Sequence, residues 1–297
     1  MLEHEILKHP AIILTTAQRE QYFEEGAVLV KDVVPVNWLE RLRAASAEMI
    51  ERSRKIDQSD DRFLLEDGHS PENPCLKRLS SPVDHHPDFW AFAGSSPAVE
   101  AAADVVGPDV KYHHSKLNFK WARGGMKFDW HQDIQAWPHT DYSPVTVGLY
   151  LEDCGDEQGP LVTIRGSNKG KLHSMYDENR NWVLRIPEER IDLQSAVHHV
   201  GPAGSLVILN CRTVHGSAPN LSERSRPFLL ITYSSADSFT YTVNPIQSPR
   251  EGTIVRGNPA TMSCHDPRPC EVPPDWSAGY AGPWAHQDQG SIGTTAI

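Results

Sequence analysis

The spacing of apolar positions changes once along this chain. As far as about residue 106 they recur at helical intervals; from Val110 onward they alternate with polar residues or form short runs between Gly and Pro turns. In the first region Thr15 or Thr16 caps a predicted helix over 18–25 that Gly26 stops, and 27–30 reads as a strand. Asn37 with Glu40 forms a candidate capping box for a helix whose Leu39, Leu42, Ala45, Met49 and Ile50 fall at helical spacing. Residues 52–84 are polar and turn-rich and predict a long loop. Helical spacing returns over 86–106, where Ser96 supplies a cap and Pro97 opens a helix.

The second region predicts strands near 111–120, 126–134, 145–151, 159–164, 197–200, 206–209 and 228–233. On the first of these, Lys116, Asn118 and Lys120 share one face. Neither βαβ alternation nor an internal repeat is present, so the pattern implies a mainly β sandwich or barrel flanked by helices. Beyond about Ser248, Pro, Gly and small residues predict an irregular tail. A single domain is expected, with a helical part over 14–106, a β core over about 110–235 and a tail over about 248–297.

Composition narrows the function classes. The 297 residues are 39% hydrophobic and 23% charged, enough apolar material for one large core. No apolar run reaches the roughly 20 residues that span a bilayer, and the first thirty residues lack the pattern of an export signal. A net charge of −11 argues against nucleic acid or an anionic membrane as main partner, since both demand clustered Lys and Arg. Cys75, Cys154, Cys211, Cys264 and Cys270 are odd in number, scattered and without a CxxC, which fits reduced thiols in a cytoplasmic setting. Cys264-His265 with Cys270 amounts to half a metal site at most.

The candidate chemistry centres on Phe128-Asp129-Trp130-His131-Gln132-Asp133. In extended backbone His131 and Asp133 project from one face and Gln132 from the other, so the imidazole and the carboxylate can meet one metal ion. His215 is the candidate third ligand. Two histidines and one carboxylate form the face expected of non-haem Fe(II) oxygenases. Arg226 follows His215 by eleven residues across a turn-rich link, Gly216-Ser217-Ala218-Pro219-Asn220. A guanidinium there can clamp the far carboxylate of a dicarboxylate that chelates iron at its other end, and 2-oxoglutarate is such a molecule. A second His-Gln-Asp, His286-Gln287-Asp288, has no downstream His or Arg and reads as a coincidence.

His131-Gln132-Asp133, His215 and Arg226 at these spacings resemble the phytanoyl-CoA dioxygenase-like family of Fe(II)/2-oxoglutarate oxygenases. Gly159-Pro160-Leu161 and Gly166-Ser167-Asn168-Lys169-Gly170 are similar to a further family element, with Arg165 and Asn168 departing from its usual Pro and His. The likeness covers roughly 14–235. It implies a double-stranded β-helix (a cupin-like jelly roll) with His131, Asp133 and His215 on iron and Arg226 on 2-oxoglutarate. It also implies that Ser217, Asn118 and Thr146 assist the cosubstrate and that His114 and Trp137 lie in the substrate pocket. The reaction implied is O2-dependent decarboxylation of 2-oxoglutarate to succinate and CO2 coupled to hydroxylation of a C–H bond, with ascorbate helpful in vitro. A carboxylate at 133, where related halogenases carry Gly or Ala, favours hydroxylation.

Two rival readings use the same residues. A zinc hydrolase can use two His and a carboxylate with an open water position, but has no need of Arg226. An inactive jelly-roll binding protein would have no need of the full set. A small molecule or natural product is the expected substrate, and Lys116, Lys120, His113, His114 and Arg212 are candidates for gripping it if it is anionic. Loops 52–84 and 171–195 would shape the pocket. The sequence leaves the oligomeric state open.

Overall fold

Local signals set the helix ends in the computed structural model, which describes residues 1–289. After a short α1 (Glu3–Ile6), α2 (Thr16–Glu25) starts at Thr15, whose hydroxyl accepts from Gln18 N at 3.2 Å. It stops at Gly26, where φ of 87° suits a residue without a side chain. Next come β1 (Ala27–Val30) and α3 (Val36–Ser53). The expected Asn37 box is not formed: α3 already begins at Val36, behind Pro35 and without a side-chain cap, because the fixed φ of proline presets that turn.

Residues 52–84 are not one long loop. They contain β2 (Phe63–Leu65) and β3 (Leu76–Ser80), whose Phe63, Leu76 and Leu79 are buried. The turn-rich residues between the two strands mask their apolar positions in the sequence. Helices α4 (Pro87–Ser95) and α5 (Pro97–Val106) follow, and Ser96 Oγ accepts from Ala98 N at 3.1 Å.

The remaining strands are β4 (Val110–Asn118), β5 (Phe128–His131), β6 (Val145–Tyr150), β7 (Val162–Ile164), β8 (Ala196–His198), β9 (Leu206–Asn210), β10 (His215–Ser217), β11 (Phe228–Ser235) and β12 (Ile254–Arg256). They build two antiparallel sheets. The larger runs β1-β9-β6-β11-β4-β3-β2, with β12 also on β4; the smaller runs β5-β10-β7-β8. This is the mainly β, helix-flanked jelly roll expected.

Alternation along the larger sheet separates two cores. Val145, Val147, Leu149, Leu229 and Ile231 pack against the helices, whereas Tyr150, Val207, Leu209, Phe228 and Leu230 form the inner cluster. One irregularity matters for the site. Between β4 and β11, Tyr112 pairs with Tyr233 and His114 with Thr232, so His113 is an extra residue. The bulge switches the parity of β4. Tyr112 meets Trp90 on the helix side, while His113 and His114 both reach Trp137.

The tail is more ordered than expected. It adds β12 to the sheet and ends in α6 (Pro283–Gln289), and Trp276 joins a third cluster with Trp137, Trp182 and Leu184. Scattered aromatics in a Pro-rich segment have no period, so this packing left no trace in the hydrophobic pattern. Among the described residues, no helix is long and apolar enough to cross a membrane, and all five cysteines are free.

Candidate active site

Strand pairing brings the two histidines together. His215 on β10 is in register with His131 on β5. The strands approach closely beside it, because a side chain at Gly216 would lie 2.9 Å from Phe128 O. Asp133 lies outside the strand that was expected to contain it and opens a 3-10 turn just after His131. Gln132 keeps extended φ and ψ of −121° and 131°, so the same-face geometry survives the change. Gln132 does point away, donating to Arg212 O at 2.6 Å and accepting from His173 N at 2.9 Å.

The three ligand atoms form a tight, buried face. Asp133 Oδ1 lies 3.5 Å from His131 Nε2 and 3.8 Å from His215 Nε2. Among the described residues this is the one group of His, Cys, Asp or Glu whose donor atoms converge for a metal ion. Each imidazole is oriented by its other nitrogen: His131 Nδ1 meets Asp129 O at 2.8 Å and His215 Nδ1 meets Thr213 O at 2.9 Å. A carbonyl on Nδ1 fixes the tautomer that leaves Nε2 with a free lone pair, the form a metal needs. Electrostatics agree. Burial and the neighbouring His131 push His215 down to about 3, so it is neutral at physiological pH. Burial opposes ionisation of Asp133, yet Lys116, His215 and His131 hold it well below the usual carboxylate range.

Arg226 lines the same cavity as the triad. It is 3% exposed and donates through Nη2 to Gly159 O at 2.9 Å, while its buried Nε has no partner among the described residues. A guanidinium enclosed with an unused donor is suited to a carboxylate. Beside it Lys120 reaches Ser217 Oγ at 2.7 Å and also Ala218 O. Burial and the Arg226 charge push Lys120 down to about 6. Asn118 lines the cavity too, accepting from Arg78 Nε at 2.7 Å.

The other expected site residues divide. Trp137 lines a second cavity, which shares Arg78, Lys116, Phe128, His131 and Asp133 with the first. His114 and Thr146 line neither. The Thr146 hydroxyl bonds Thr232 Oγ1 at 2.9 Å, and Thr232 lies 3.3 Å from His114 Nε2, so all three are occupied in a polar row across β6, β11 and β4. Arg212 is structural, bonding Asn168 O at 2.8 Å and Gly170 O at 2.6 Å. Cys264, His265 and Cys270 form no metal cluster.

Arg78, Tyr280 and Trp284 also line the two cavities, and no motif or spacing in the sequence marks them. Arg78 sits on the unrecognised β3, in register with Asn118. The tail supplies the others. Trp284 covers Arg78 with the guanidinium carbon 4.7 Å from its ring, and its Nε1 donates to Lys127 O at 3.2 Å. Gln287, the centre of the coincidental His-Gln-Asp, donates to Leu184 O at 3.0 Å and accepts from Asp129 N. Its neighbour Asp288 has a side chain outside the described residues.

Comparison with known proteins agrees with this geometry. Residues 22–228 match the model of the family described as Phytanoyl-CoA dioxygenase (PhyH). A Stutzerimonas stutzeri protein described as "Probable alpha-ketoglutarate-dependent hypophosphite dioxygenase" is 24% identical over 232 residues, 75% of this chain and 79% of that protein. An ectoine dioxygenase of Bordetella parapertussis is 28% identical over 250 residues, 78% of each. Among solved structures, EctD from S. alaskensis in its apo form superposes with a TM-score of 0.63 at 19% identity, covering 89% of both chains.

Proposed function

The chain belongs to the phytanoyl-CoA dioxygenase family, and from that premise we propose that it is an Fe(II)- and 2-oxoglutarate-dependent dioxygenase that hydroxylates a C–H bond of a small molecule, releasing succinate and CO2. The observation that carries this reading is the sharing of one cavity by the His131, Asp133 and His215 face and by Arg226 with its open Nε. When bound, iron with 2-oxoglutarate and O2 supplies the oxidising chemistry.

The protein's part is to hold and orient. His131, Asp133 and His215 would hold the iron through three ligand atoms gathered on one side. Arg226 takes the distal carboxylate, and Lys120, fixed by Ser217, lies beside it. A bound carboxylate favours the protonated form of Lys120, offsetting the burial that pushes it down to about 6. Asn118 is held by Arg78 and faces the same space. Phe128, Leu161, Phe228 and Trp284 give the cavity apolar walls that keep water from the reacting centre. A hydrolase would use the triad and leave Arg226 without a role. The five free thiols fit a reducing, cytoplasmic setting as part of the same reading.

The test is succinate release from 2-oxoglutarate with added Fe(II) and ascorbate. His131→Ala and Asp133→Ala are expected to lose at least about a hundredfold in activity, since even the outer partners of metal ligands are worth ten- to hundredfold. Unchanged turnover in either variant would refute the ligand assignment.

A further inference from the structure

The charges around the two cavities do not balance. Among the described residues, the carboxylates lining either one are Asp133 and Glu66, and Glu66 pairs with Lys77 at 3.5 Å. Asp133 belongs to the metal face, and Arg226 with Lys120 to the cosubstrate. Lys116 and Arg78 remain, and both line the junction where the cavities meet beside Asp133. Among the described residues the Lys116 side chain has no hydrogen bond, and neither it nor the Arg78 side chain forms an ion pair within salt-bridge distance. Arg78 is 3% exposed and spends Nε on Asn118, leaving its two terminal nitrogens without a bond. The ring of Trp284 over its guanidinium compensates part of the lost hydration. Both cations face the single carboxylate of Asp133, which is itself committed to the metal face, so a further anion would complete them.

The second cavity tells what else that anion carries. Its remaining walls are largely apolar, with Trp137, Leu184, Ile246 and Tyr280 among them. That suits a carbon body carried by the anion.

We propose that the substrate is a small organic acid whose carboxylate or phosphonate head is gripped by Lys116 and Arg78 while its carbon body lies in the second cavity, beside the metal face. This rests on the oxygenase reading above and adds the chemical class of the substrate.

The experiment is an anaerobic calorimetric titration of the Fe(II)- and 2-oxoglutarate-loaded enzyme with three matched probes: 4-methylpentanoate, 3-methylbutylphosphonate and 4-methylpentanamide. Uptake of iron and 2-oxoglutarate is measured first. If loading fails, the oxygenase reading falls; if loading succeeds and acid and amide bind equally, only the present inference falls. At least one acid is expected to bind about tenfold or more tightly than the amide, and the tighter of the two identifies the head. Lys116→Met should remove that preference while leaving amide binding within about twofold, and Lys116→Arg should restore it. Lys55→Met, on the exposed surface, serves as the charge control and should change neither. Lys116→Met weakening 2-oxoglutarate with the acid preference intact would assign Lys116 to the cosubstrate and overturn the proposal. If that variant does not fold, the acid-to-amide ratio of the unaltered enzyme decides.

Discussion

The two cavities that meet at Asp133 are built by different means. The one that holds Arg226 is framed by strands: His131 and His215 face each other in register, Arg226 and Lys120 exchange backbone hydrogen bonds of 2.7 and 3.3 Å, and Asn118 is in register with Phe228. The second is walled mainly by turns and by the tail, through Ala136, Leu184, Pro245, Ile246, Tyr280 and Pro283. Strand pairing couples every position to its neighbours, whereas loop walls can change without disturbing a register. The difference teaches where each property resides. On the proposed reading, the sheets would fix the metal and cosubstrate chemistry, and the loops and the tail would set what is oxidised.

The sharpest way to break the strand-built cavity is Arg226→Ala. It leaves the distal carboxylate of 2-oxoglutarate enclosed without its charged partner, so the concentration for half-maximal succinate release should rise about ten- to hundredfold. A change under about twofold would place the clamp elsewhere.

Trp284→Ala probes the wall that the tail contributes. The residue covers Arg78 and packs edge-on against Phe128 at 5.3 Å, so its loss admits water to the reacting centre. The yield of oxidised product per succinate, once a substrate is in hand, should fall several-fold. An unchanged yield would show that the tail does not seal the site.

A pH series addresses both regions at once. Burial pushes His139, beside Trp137, and His199, behind β7, down to about 4. The unfolded chain takes up these protons near 6.5 and the folded one does not, so stability is complete above 6.5 and declines as pH falls toward 4. Each histidine contributes a slope of up to about 1.4 kcal/mol per pH unit across that window. Denaturant midpoints at pH 7 and pH 5 measure it, and equal midpoints would mean that both histidines are protonated in the folded state.

Thr146→Val should have the smallest effect. Its hydroxyl is committed to Thr232 and lines neither cavity, so the 2-oxoglutarate requirement should move less than about twofold. A large rise would put Thr146 in contact with the cosubstrate after all.

What the sequence revealed follows the same division. The convergence of His131, Asp133, His215 and Arg226 on one cavity was legible because the proposed chemistry demands particular side chains at spacings that strands and turns can bridge. The Thr15 and Ser96 caps were legible because capping is decided within a few residues. Arg78 was hidden in a polar, turn-rich stretch whose strand character depends on pairing with β4. The bulge at His113 depends on that sheet as well, and it explains how two consecutive histidines reach one tryptophan. The packing of Trp284 and Gln287 on the site was illegible, since long-range docking of an aperiodic segment leaves no local signature.

Whether the triad and Arg226 together hold iron and 2-oxoglutarate is decided by anaerobic titration of 2-oxoglutarate into the iron-free and the Fe(II)-loaded protein. One site per chain is expected, with affinity at least about tenfold higher when iron is present, because 2-oxoglutarate would then be held by iron at one end and by Arg226 at the other. Absence of binding, or binding of equal strength with and without iron, would contradict it.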